Sequence, residues 1–460
     1  MCEESYSAGR VDNAFMTPLK SSVIRKGFKW TVLLLWILMS LISLDHLYSF
    51  CPLFGHLPTR ILGGIAWLTF FLTIVYCTQN HLRETLLLIL AFFFLGKISG
   101  PYLEPPSDPL EHLRRVYEWN CEHQADDMPR SNRGLWHYSM VGDLLCPGGE
   151  KISASRQLQR IDNVHGLLWA LAAATLFVVS LRAGLPARWA LLSVMISFLF
   201  LGTNRFSYFR YYSFAPSFTS LMIYWLWAGT SFFVRKDHAV LVCLLLGLLA
   251  LPILWVNHHQ EAAFLGFLLI IWLAINGLFI IHKAIFSSAK SRSQQVLVGL
   301  LTVLSSFAMG WLLPQSPSFR HWLGNFFVRD FTQNIDQLAL FWHGWYVGPK
   351  FVGLRVFDTL GIQGIFMVLL AIPYFWPGLL PGETKQKIRI FILGVLPFLG
   401  YLIPLFHFIW LSNVKIPTYY RLCYASMFWL FFADFLYRTG RRIQARKSQS
   451  TAMTEKKGGR

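Results

Sequence analysis

The interval Gly100–Asp162 holds the residue types most able to do chemistry: GPYLEPPSDPLEHLRRVYEWNCEHQADDMPRSNRGLWHYSMVGDLLCPGGEKISASRQLQRID. Nearly half of the chain's acidic residues fall inside it. Glu104, Asp108, Glu111 and His112 stand close together, followed by Glu118, Glu122, His123, Asp126 and Asp127. Neighbouring carboxylates can hold a divalent cation or supply a general base. Glu104, Asp108, Glu111 and His112 are the candidate ligands for such an ion. Part of the cluster also has a plain structural use. Pro105, Pro106 and Pro109 stiffen the backbone, and Asp108 can cap a helix starting at Pro109, with Glu111 three residues on.

Smaller polar groups interrupt apolar runs elsewhere. Asp45-His46 closes the first run, and an acidic residue at helix depth is a functional candidate. Asn257-His258-His259-Gln260-Glu261 joins two apolar runs with almost no turn. His258, His259 and Glu261 are candidate ligand contacts, although adjacent histidines on one helix do not readily chelate one ion; the plainer reading is a tight polar turn. Arg205, Arg210 and Arg421, the last beside Tyr420, sit among aromatics at the ends of runs. Arginine there can grip a phosphate bidentately or snorkel to the interface. His343 lies in a second polar interval, Pro314–Leu360.

The elements that position these residues are apolar helices. The chain has 460 residues, of which 55% are hydrophobic and 14% charged. Soluble domains carry roughly 25% charged residues. Recurrent apolar runs predict an all-α polytopic membrane protein of about twelve spans, at roughly 20 residues each. Two long outer loops, 100–162 and 314–360, separate them. The predicted layout is a cytoplasmic segment 1–27, a membrane domain 28–437 and a basic, disordered cytoplasmic tail 438–460. No cleavable signal peptide is expected, because the first apolar run is too long and lacks a small-residue cleavage site. No internal repeat is visible by eye, which weakens a two-halves transporter architecture.

The net charge of +18 does not point to nucleic acid, because the basic residues sit between and after the apolar runs. With both termini in the cytoplasm, Arg83, Arg182, Arg188, Arg235, Lys236, Lys283, Lys385 and the tail fall on the inner side. All the polar clusters then face outward. An oxidising outer side makes Cys121–Cys146 a candidate disulfide, with Cys51 competing and free thiols the alternative. The long loops carry no obvious glycosylation sequon and the chain no retention signal, so a bacterial inner membrane is expected.

An acidic residue just beyond the first span (Asp45), carboxylate-bearing outer loops and about a dozen helices together resemble the C-type membrane glycosyltransferases. FRYYSFAPS and IPTYYRLCYAS add to the likeness. The resemblance covers the layout of most of the chain. It implies transfer of a sugar from a polyprenyl-phosphate-linked donor in the bilayer to a glycan, lipid or protein acceptor. A carboxylate would deprotonate the acceptor, Arg210 and Arg421 would steady the departing phosphate, and a divalent ion would assist. That family places its long loop directly after span one, whereas here it follows span three, which leaves Asp45, Asp108 and Glu111 all open as the base. A transporter or permease, or a lipid-linked glycan polymerase or ligase, are the alternatives.

Overall fold

In the computed structural model the described residues are 22–51, 54, 57–99, 108–118, 136–146, 153–201, 214–233, 239–285, 292–315, 362–376, 378–396 and 426–458. Every regular element among them is a helix. In chain order these are α1 (Ser22–Tyr48), α2 (Thr59–Thr78), α3 (Leu82–Ser99), α4 (Asp108–Tyr117), α5 (Trp136–Leu145), α6 (Ala154–Arg182) and α7 (Ala187–Leu201). Then come α8 (Pro216–Trp227), continued by a π-helical turn Ala228–Phe232, α9 (Ala239–Asn257), α10 (His259–Ile285), α11 (Arg292–Gln315), α12 (Ile362–Phe375), α13 (Thr384–Gly394) and α14 (Phe428–Gly458).

Four segments among the described residues are long and apolar enough to cross a membrane: Lys26–Tyr48, Thr59–Thr78, Ser155–Arg182 and Leu268–Ile285. Ala187–Phe198, Leu244–Asn257 and Gln295–Ser305 are shorter apolar helices. The expectation of about twelve spans thus reduces, among these residues, to four full-length candidates plus shorter ones. The architecture is all-helical as expected.

Helix α6 is the axis. Buried residues make up 89% of its apolar window, against 28% for α1, whose flank carries exposed Trp30 and Leu34. Around α6 stand α2, α3, α5, α7 and α8. Backbone-to-backbone proximity with α3 depends on glycine, since a Cβ on Gly96 would lie 2.9 Å from the Gly166 Cα. Small residues at such crossings let apolar helices associate where burial from water gives no drive. The end of α6 is legible in RAGLPAR. Gly184 takes φ +92, Gly184 N–H bonds Leu181 O at 3.0 Å, and Leu185 N–H bonds Ser180 O at 3.1 Å. That pair of bonds closes the last turn, and Pro186 then starts the next helix.

Side-chain contacts sort the helix ends into two groups. At one end, here the site end, Trp136 Nε1 donates to Ser43 Oγ at 2.8 Å and Trp67 Nε1 to the Met140 carbonyl at 3.1 Å. There too, His165 Nδ1 meets the Gly96 carbonyl at 3.0 Å. At the opposite, basic end, Gln386 donates to the Ala183 carbonyl, Arg442 to that of Leu379, and Arg438 to that of Pro381 at 2.6 Å. Arg438 also pairs with buried Asp434 at 2.6 Å, and Tyr374 donates to the same carboxylate at 2.5 Å.

Two boundaries differ from expectation. Helix α6 begins at Ala154, within the expected outer loop 100–162, and α4 and α5 also lie inside that interval. The tail, expected to be disordered, continues α14 as helix to Gly458. Arg, Gln, Ala, Lys and Met are good helix formers, and extending a packed helix bypasses the cost of nucleation.

Candidate functional site

Helix α4 begins at Asp108, where the sequence places a cap, and turns Leu113 and Val116 inward. On its other face Glu111 accepts from Arg114 Nε at 3.1 Å and from Arg115 Nε at 2.9 Å. Arg114 also reaches Glu118 at 2.5 Å. Hydrogen bonds from Arg114 and then Arg115 hold the Glu111 carboxyl down at about 2. Both its oxygens are engaged, and a carboxylate of such low pKa is a weak proton acceptor.

His112 hydrogen-bonds through Nδ1 to the Tyr138 phenol, and Arg115 reaches the same phenol. Burial pushes Tyr138 up to about 12, against the pull of Arg115. Tyr138 sits on α5, an apolar helix set in the polar loop, in which Trp136, His137 and Met140 are buried. Its close fit on α2 depends on Gly63, where a Cβ would lie 2.5 Å from the Ser139 carbonyl oxygen.

His137 is fully buried. Its ring meets Thr219 Oγ1 at 2.5 Å, and its backbone N–H donates to Asn257 Oδ1 at 3.1 Å. Burial, with the nearby His112, pushes this imidazole down to about 3, so it is neutral at physiological pH. Asn257 also donates to the Pro216 carbonyl at 3.1 Å and to Ser220 Oγ at 3.0 Å. One amide therefore ties α9 to α5 and α8. His258 alone separates α9 from α10, and its N–H still bonds Leu254 O at 2.7 Å. Its ring pairs through Nδ1 with Glu261, and the side chains are 17% and 2% exposed, respectively. His259 opens α10.

At the end of α1, Asp45 is buried and its Oδ1 accepts the Cys51 N–H at 2.5 Å, closing the turn that leaves the helix. The structure thus brings to one end Asp45, Glu111, His112, His258 and Glu261 from three separate stretches of sequence. Glu104, Arg205, Arg210, His343, Tyr420, Arg421 and Cys121 lie outside the described residues. No group of three or more His, Cys, Asp or Glu side chains suited to a metal occurs among the described residues. Of the four expected ligands, Glu111 is held by arginines and His112 by Tyr138. Cys146 is disulfide-bonded, while Cys51 and Cys77 are free thiols.

Sequence reading missed His137, Tyr138 and Thr219. The signal available was the aromatic run Leu135–Tyr138 inside a polar interval. Comparison with family models, curated proteins and solved structures gives no match.

Proposed function

We propose that the protein is an integral-membrane glycosyltransferase. It moves a sugar from a polyprenyl-phosphate-linked donor to a hydroxyl of a glycan, lipid or protein acceptor at the non-cytoplasmic face of a bacterial inner membrane. The observation that carries this reading is the sorting of buried charge. Among the described residues the buried charged groups are Asp45 and Glu261 at the site end, and Lys387, Arg389, Asp434 and Arg438 at the basic end. Among the described residues no buried acidic or basic side chain lies between them. A transporter passes cargo through the middle of its bundle, where charged residues mark the path. Chemistry confined to one face needs none there, and a donor anchored in the bilayer reaches that face directly.

In this reading both termini are cytoplasmic and the site end faces outward. Asp45 stabilises the positive charge that develops on the sugar ring. Arg115 lies at the same end, and Arg210 and Arg421 are assigned to the leaving phosphate. The test uses the purified protein in proteoliposomes with a polyprenyl-phosphate donor labelled in its sugar. Label should move to an acceptor, and Asp45→Asn should slow transfer by about 100-fold or more. Label crossing the bilayer without transfer would replace this reading with transport. Processive growth of the lipid-linked chain would replace it with polymerisation.

A further inference from the structure

We infer that His258, held by Glu261, is the general base that takes the proton from the acceptor hydroxyl, an assignment that rests on the glycosyl transfer proposed above. Three observations converge on this pair. First, the Glu261 carboxylate is buried at the head of a helix that enters the apolar zone, a costly place for an ion without a partner. His258 supplies that partner through Nδ1 and remains partly exposed at the site end. A buried carboxylate orienting a reachable imidazole is the arrangement that fixes its tautomer and stabilises the imidazolium formed on proton uptake.

Second, the pair stands on rigid backbone. His258 is the sole residue between two helices, and the adjacent Asn257 is fastened to α5 and α8 by three hydrogen bonds. Third, two of the carboxylates expected to act as bases, Glu111 and Asp45, have other partners. Glu111 is shared by Arg114 and Arg115, and Asp45 closes the turn onto the Cys51 N–H.

The step balances as a single displacement. The acceptor oxygen forms its bond to the anomeric carbon, and the bond from that carbon to the phosphate oxygen breaks. The electron pair leaves on the phosphate. The hydroxyl proton passes to Nε2 of His258, and the resulting imidazolium lies against the Glu261 carboxylate. Glu261 acts through His258 and is a positioning residue.

The experiment follows labelled sugar from a polyprenyl-phosphate donor in proteoliposomes, for wild type, His258→Gln, His258→Ala and Glu261→Gln. His258→Gln should lower kcat by about 100- to 10,000-fold with KM for the donor unchanged. Added imidazole should restore part of the turnover of His258→Ala. Glu261→Gln should lose about tenfold in kcat rather than in KM, consistent with a group that only orients the base. Near-normal turnover of His258→Gln in an active preparation overturns the assignment alone. So does loss of donor binding in the folded variants without rescue by imidazole. A wild type that transfers no label overturns the transfer reading, and this assignment with it.

Discussion

A carboxylate shared by two guanidiniums on its own helix is anchored, and its chemistry changes accordingly. Glu111→Gln removes ion pairs from a half-exposed face, and such pairs contribute little in water. We expect the variant to retain turnover within a few-fold of wild type in the labelled-sugar assay. The lowered pKa also sets a window: the Glu111 pairs hold at neutral pH and are lost only as pH falls from the usual carboxylate range toward about 2. His137 behaves differently in acid. Its folded pKa, about 3, lies below the unfolded value near 6.5, so its contribution is complete above about pH 6.5 and declines as pH falls from there toward 3. Each pH unit within that window costs about 1.4 kcal/mol at most. Thermal unfolding in detergent should therefore show a steeper loss of Tm between pH 7.5 and 5 for wild type than for His137→Gln, which does not titrate. Equal slopes would mean that His137 is reached by solvent.

At the scale of elements, the site depends on a short helix pressed against a long one. Gly63→Val would place a branched side chain where even a Cβ meets the Ser139 carbonyl oxygen at 2.5 Å, and both partners there are backbone. Overpacking of this kind costs about 1–3 kcal/mol. Moving α5 would also disturb Trp136–Ser43, His137–Asn257 and Tyr138–His112 together. We expect lower thermal stability and a loss of transfer greater than any single one of those contacts explains, checked by unfolding and turnover on the same preparation. Helix positions were largely legible from the sequence, because apolar runs between polar breaks fix them. Gly184 and Pro186 even mark where α6 stops and α7 starts. The site was legible only in fragments. Asp45, His112, His258 and Glu261 could be named as polar residues in costly places, but their convergence depends on helix packing, which no local spacing encodes. His137 was invisible because a buried histidine in an aromatic run resembles ordinary core. The engagement of Glu111 was not legible because its arginines stand one turn away on the same helix, a pairing that helical spacing permits but does not require.

At the scale of the molecule, the described polar clusters around Asp45, His112 and His258 collect at one end, and backbone carbonyls at the other are fastened by Gln386, Arg438 and Arg442. In the proposed topology, with the interval 100–162 outside, Ser131→Cys should react with an impermeant thiol reagent on intact cells. Reaction only after lysis would invert the topology. In the proposed topology the disulfide-bonded Cys146 lies on the oxidising side, where such bonds persist. The junction at His258 has a further consequence, for the kinds of change the gene can accept. With a single residue between α9 and α10, the chain has no slack there to absorb a change in length. One inserted residue would advance a helix by about 100° around its axis. Glu261 would then swing away from His258, or Asn257 from its partners on α5 and α8. Substitutions at this hairpin can be graded in their effect, whereas in-frame insertions and deletions should act as all-or-none lesions.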